Sequence, residues 1–168
     1  PSSGLTLAMI FFIVMSATCF AYVFRSLGGD DVVEELILHA GLGSWGLLFL
    51  IMGIVFFLGF FLDWVEITLI VLPVFAPLVA ALDFAGHVPD ESKVYWFTVL
   101  VAINLQTSFL TPPFGFALFY MKGIAPKEVD IKNIYLGIIP FVLIQVVGVI
   151  LVLAFPKIAL WLPGLVYA

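Results

Sequence analysis

The 168-residue chain is 64% hydrophobic and 10% charged, with a net charge of -5 and a mean hydropathy of +1.29. Such values fall far outside those of soluble globular domains and point to an integral membrane protein. Six Lys plus Arg residues in no cluster argue against a nucleic-acid partner, and the single Cys19 excludes an internal disulfide.

The sequence opens at Pro1 without a methionine or a signal-peptide pattern, and it reads as part of a longer chain. Residues 1–27 are expected to form a transmembrane helix, because Leu5 to Phe24 is free of charge and Arg25 closes it at an interface. Gly28 and Gly29 then make a turn. Residues 28–44 read as a helix lying in the interface plane, with Val32, Val33, Leu36, Ile37 and Ala40 on one face and Asp31, Glu34, Glu35 and His39 on the other. Residues 45–83 hold two apolar arms with only Asp63 between them, so a helical hairpin with a buried tip competes with two full crossings. Pro73 and Pro77 kink or interrupt the return arm. Asp63 and Glu66 would share a helical face as ion ligand, proton carrier or helix cap, or both are solvated at a surface bend.

Asp83 to Lys93 reads as a solvated connector, given Gly86, Pro89, Asp90 and Glu91. Val94 to Met121 follows as an uncharged run that, as one helix, would measure roughly 42 Å against about 30 Å of bilayer hydrocarbon. Asn104, Gln106, Thr107, Ser108 and Thr111 crowd into it, and Pro112, Pro113 and Gly115 follow directly. Neither proline has an amide hydrogen, and Pro112 forces Thr111 out of helical geometry. The spacing therefore predicts a broken helix whose freed carbonyls and hydroxyls suit a cation or substrate site near mid-membrane. The alternative is a packed proline kink whose Ser and Thr side chains bond back to their own helix. Residues 122–168 complete the chain with a loop bearing Lys122, Lys127 and Lys132, a last crossing over Ile134 to Phe155, and an interfacial exit at Pro156, Lys157, Trp161 and Pro163. Only Gln145 is strongly polar in that crossing. The lysine loop is expected to be cytoplasmic, which places the acidic loop and the C-terminus on the other side, with Arg25 as a mild objection.

The stretches FFLGFFLDWVEITLIVLPVFAPLVAAL and VAINLQTSFLTPPFGFALFYMKGIAP, with a last helix ending FPKIALWLP, resemble the large membrane subunit of tripartite ATP-independent periplasmic (TRAP) transporters. The resemblance runs from about Leu5 to Leu162. It implies an all-α integral membrane fold: one inverted repeat of an elevator-type transporter, with interfacial arm helix, helical hairpin and proline-broken helix. Residues 1–27 would belong to the scaffold, and 45–83 and 84–121 to the transport domain. Implied function is sodium-coupled import of an organic acid across the bacterial inner membrane. The implied partners are a small TRAP membrane subunit and a periplasmic substrate-binding protein, with sodium as coupling ion, no other cofactor and a periplasmic C-terminus.

Carried over by position, the resemblance places ion binding at Thr107, Ser108 and Thr111, with Gly59 and Asp63 of the hairpin tip as the facing wall. It gives Asn104, Pro112, Pro113 and Gly115 substrate-binding or site-shaping roles. Gln106-Thr107-Ser108 departs from the Ile-Gly pair of many relatives, and no arginine lies near the site in this half, so one that binds a substrate carboxylate would come from the missing half. Other readings are an ion-coupled carrier or channel of another inverted-repeat family and, remotely, an intramembrane aspartyl protease using Asp63 and Asp83. The expectation is that the chain is not an enzyme.

Overall fold

The computed structural model describes residues 2–29, 32, 35, 41–62, 64–112, 116–126 and 129–166. Among them are seven α-helices and a short 3-10 turn, with no strand: α1 (Ser2–Ser26), α2 (Ser44–Leu58), α3 (Trp64–Ala81), α4 (Lys93–Leu110), α5 (Phe116–Ile124), α6 (Ile131–Ala154) and α7 (Lys157–Val166). The arm-helix expectation falls mostly on residues outside this description, as do Asp63, Pro113 and Gly115.

Local chemistry sets the ends of these helices. α1 runs out at Gly28, whose φ of 72° belongs to the left-handed region that glycine enters without strain. α6 starts where the Asp130 carboxylate accepts from the Ile131 amide at 2.7 Å, an N-cap in the first turn. It stops just before Pro156, and α7 begins immediately after. That last helix is an addition to the expected interfacial exit, and Pro163 lies within it.

α4 is the organising element, packing against α2, α3, α5, α6 and α7. Its Trp96, Phe97 and Leu100 are wholly buried, together with Leu48 and Val55 of α2 and Val79 of α3. α6, by contrast, turns Leu136, Phe141, Leu143, Ile144 and Ile150 outward and buries only Ile134 and Val152. An apolar face of that extent fits lipid or another membrane segment. At 24 residues and a peak hydropathy of 2.8, α6 has the length and composition of a span.

The segment Asp83–Lys93 is the expected connector, with Asp83, Pro89, Asp90 and Glu91 exposed, but its apolar residues are buried. Phe84 and Val88 are each 2% exposed, and Lys93 is buried with its ammonium on Asp90 at 2.6 Å and on the Leu82 carbonyl. Asp90 and Glu91 do face outward, but they mark only one side of the segment. Phe84 stacks edge-on against Trp45 and Trp96, with ring centroids 5.3 and 5.4 Å away, and so extends the core.

Candidate functional site

The buried face of α4 runs Lys93, Trp96, Phe97, Leu100, Val101, Asn104, Leu105, Thr107, Ser108, which is the helical i, i+3, i+4, i+7 stripe. It is apolar through its middle and turns polar over the last two turns. Gln106, one of the polar residues of the signature, sits on the other side and is exposed.

Three contacts fix α2 beside α4. Trp45 meets Trp96 with ring centroids at 6.1 Å, the Asn104 side-chain amide donates to the Met52 carbonyl at 2.8 Å, and Gly59 abuts Ser108. Because both numberings advance together, the two helices run in the same direction. Gly59 has φ -62° and ψ -11°, which any residue adopts, so its backbone does not demand glycine. Space does. A Cβ at position 59 would collide with Ser108 Oγ and lie 2.9 Å from Ser108 Cβ.

After Gly59 the chain keeps its amides bonded to itself: Gly59 to the Val55 carbonyl at 3.0 Å, Phe60 to Phe57 at 3.2 Å, and Phe61 and Leu62 to Leu58 at 2.9 Å. A turn that satisfies its own donors needs no water, as a turn held at membrane depth must not.

The hydroxyls at the end of α4 all donate into their own helix. Thr107 Oγ1 donates to the Ile103 carbonyl at 2.8 Å, Ser108 Oγ to Leu105 at 2.8 Å, and Thr111 Oγ1 to Thr107 at 2.7 Å. This is the back-bonding named above as the alternative to a site, yet it leaves each oxygen with acceptor capacity and no proton to offer. Thr111 is extended at φ -85° and ψ 125°, as the following proline requires. Pro112 and Pro113 remove the donors that Ser108 and Phe109 would have four residues on. Ser108 instead accepts from the Thr111 amide at 3.1 Å. The site is therefore the negative end of a helix dipole, lined by oxygen acceptors and faced by a tight turn. Among the described residues no cluster of His, Cys, Asp or Glu suits a transition metal, so the donors here are hydroxyls and carbonyls.

Two side-chain contacts had no sequence reading. The Trp96 indole donates to the Val152 carbonyl at 2.9 Å, and His87 Nε2, necessarily the protonated nitrogen, donates to the Leu153 carbonyl at 2.7 Å. Both carbonyls end α6, and Val152 is the one whose donor four residues on would be Pro156. That proline was the available signal. At mid-helix in α6, the shielded Gln145 Oε1 has no hydrogen-bond partner among the described residues.

Among the described residues only helices and turns occur, and α6 carries an outward sheath of Leu, Ile, Val and Phe, as in a helical membrane protein. The family model for the tripartite ATP-independent periplasmic transporter DctM component matches residues 1–158. The chain belongs to this family of TRAP large permeases. It is 26% identical over 164 residues to the C4-dicarboxylate TRAP transporter large permease protein of Rhodobacter capsulatus, covering 98% of this chain and 35% of that one. It is 29% identical over 168 residues to the ectoine/5-hydroxyectoine TRAP transporter large permease protein of Ruegeria pomeroyi, covering 99% and 37%. With the sialic acid TRAP transporter permease protein of Haemophilus influenzae it shares 29% identity over 118 residues, 70% of this chain and 18% of that one. The chain thus spans at most 37% of the length of these three relatives. No solved structure matches it at a significant level.

Proposed function

We propose that the chain supplies one repeat of the membrane permease of a sodium-coupled, binding-protein-dependent importer of organic acids. The observation that carries this reading is the seating of the Gly59 turn on Ser108 at the acceptor-rich end of α4. Sodium prefers oxygen ligands, and three hydroxyl oxygens with their protons already donated, beside a helix C-terminus, suit a cation better than an anion.

Family membership supports work with a periplasmic binding protein and a small membrane subunit in the bacterial inner membrane. The outward face of α6 and the unpartnered Gln145 Oε1 support a packing partner there. The named cargoes of the relatives, C4-dicarboxylate, sialic acid and ectoine, all carry a carboxylate, which supports the organic-acid class. α2, at 15 residues and about 22 Å, is shorter than the bilayer hydrocarbon, which supports a hairpin over two full crossings. In an elevator mechanism that hairpin and the broken helix would move together, and the C-terminus would be periplasmic. No enzymatic step is part of this reading. Asp83, one acid of the protease alternative, accepts the Ala85 amide at 2.8 Å in an exposed turn.

The test is alanine substitution at Asn104, Thr107, Ser108 and Thr111 in the whole complex. Folded variants with weakened apparent sodium affinity support the site. Unchanged sodium dependence at all four would sink it.

A further inference from the structure

We propose that Arg25 is a positioning residue that replaces the amide hydrogen missing at Pro77 and thereby holds α3, the return arm of the hairpin, against α1. Within a helix the carbonyl of residue 73 is bonded by the amide of residue 77. In this chain residue 77 is proline and has none to give. Arg25 Nη2 donates to the Pro73 carbonyl at 2.6 Å, reaching it from 48 residues earlier in the chain. Pro73 and Pro77 take the helical donors from the Leu69 and Pro73 carbonyls, and the structure brings a cation to the second. The guanidinium carries a positive charge, so the bond to the carbonyl is charge-assisted.

The surroundings show why this contact matters for position. α1 and α3 pack side by side, and along their contact lies a partly open groove of about 360 Å³ lined by Phe12, Ser16 and Phe20 of α1 and by Leu62, Glu66 and Ile70 on the hairpin side. The groove leaves that stretch incompletely packed. Arg25 adds a directional bond between the two helices at a defined atom. α3 leads back to the turn that presents Gly59 to Ser108, so the register of α3 is passed on to the candidate site. Arg25 was expected to mark the membrane interface; its engagement with Pro73 gives it a structural reason to stand where it does.

The inference rests on the transport reading for its functional consequence but not for the contact itself, and the experiment separates them. In the complete membrane complex, R25Q, P77A and R25Q/P77A are compared by thermal unfolding and by sodium-dependent uptake. Alanine at 77 restores the helical amide, so the Pro73 carbonyl no longer needs the guanidinium. R25Q alone is expected to lower the melting temperature and to weaken apparent sodium affinity about tenfold, the scale of one orphaned acceptor. In the P77A background the same change is expected to have a clearly smaller effect on both readouts. An effect of R25Q that is equally large with and without P77A overturns the proposal, since a general surface or charge role would be indifferent to residue 77. If R25Q does not assemble, R25K, which keeps a donor on a single point charge, carries the same comparison. Absent uptake in the unmodified complex counts against the transport reading, while the thermal comparison still decides the role of Arg25.

Discussion

Gly59 and Ser108 stand so close that the smallest side chain at position 59 would overlap the serine hydroxyl. The backbone at Gly59 is ordinary right-handed helix, so the requirement is for room between the hairpin turn and α4. Gly59→Ala is accordingly expected to cost about 1–3 kcal/mol, the usual price of overpacking, and to push the turn off the broken helix. Ser108→Ala in the same chain should recover only part of the loss, because its Cβ remains 2.9 Å from the added one, whereas Ser108→Gly should recover more. Thermal unfolding of the purified complex measures this. Equal stability of Gly59→Ala and the parent would mean that the two elements are not in contact.

Asn104 ties α4 to α2 through its bond to the Met52 carbonyl at 2.8 Å, and it is 8% exposed. Asn104→Ala should lose about 1–3 kcal/mol, as buried hydrogen-bond deletions do. Asn104→Asp should be worse. It replaces the donor with a carboxylate oxygen against a carbonyl, leaving a charge buried beside an acceptor. If aspartate is tolerated better than alanine, residue 104 is not acting as a donor to Met52.

Much of the candidate site was legible in the sequence, and the reason is chemical. Polar residues followed by two prolines within an uncharged run announce a broken helix whatever it packs against, and α4 ends at Leu110 as those prolines require. The destination of each donor was not legible. Met52, Val152 and Pro73 are reached through their carbonyls, and a carbonyl has no side-chain signature. Pro77 and Pro156 still identify two of these acceptors in retrospect, because each lacks the amide that would donate to the carbonyl four residues behind it. The buried side of the Asp83–Lys93 connector was not legible for a different reason. Its charges and turn residues describe its outer side, while Phe84, Val88 and Trp96 decide where the segment sits.

Trp96 gives a measurement at the other end of α4. Its indole serves the Val152 carbonyl, which Pro156 cannot, so Trp96→Phe should cost about 1–3 kcal/mol although the ring is replaced by a ring. The same change at Trp161, which is 68% exposed, should alter stability by less than about 0.5 kcal/mol. Thermal unfolding of the two variants side by side gives the contrast, and similar losses at both positions would remove the capping role.

The central claim is tested most directly by uptake of labelled organic acids into proteoliposomes holding the complete membrane complex. Four conditions suffice, combining presence or absence of an inward sodium gradient with presence or absence of the cognate binding protein. Uptake only when both are supplied is the expected result, and it would make the end of α4 the next place to vary ligands one by one. Uptake that proceeds without sodium in a folded complex would contradict the account, because the hydroxyls and carbonyls gathered at Ser108 and Gly59 would then have no coupling ion to hold.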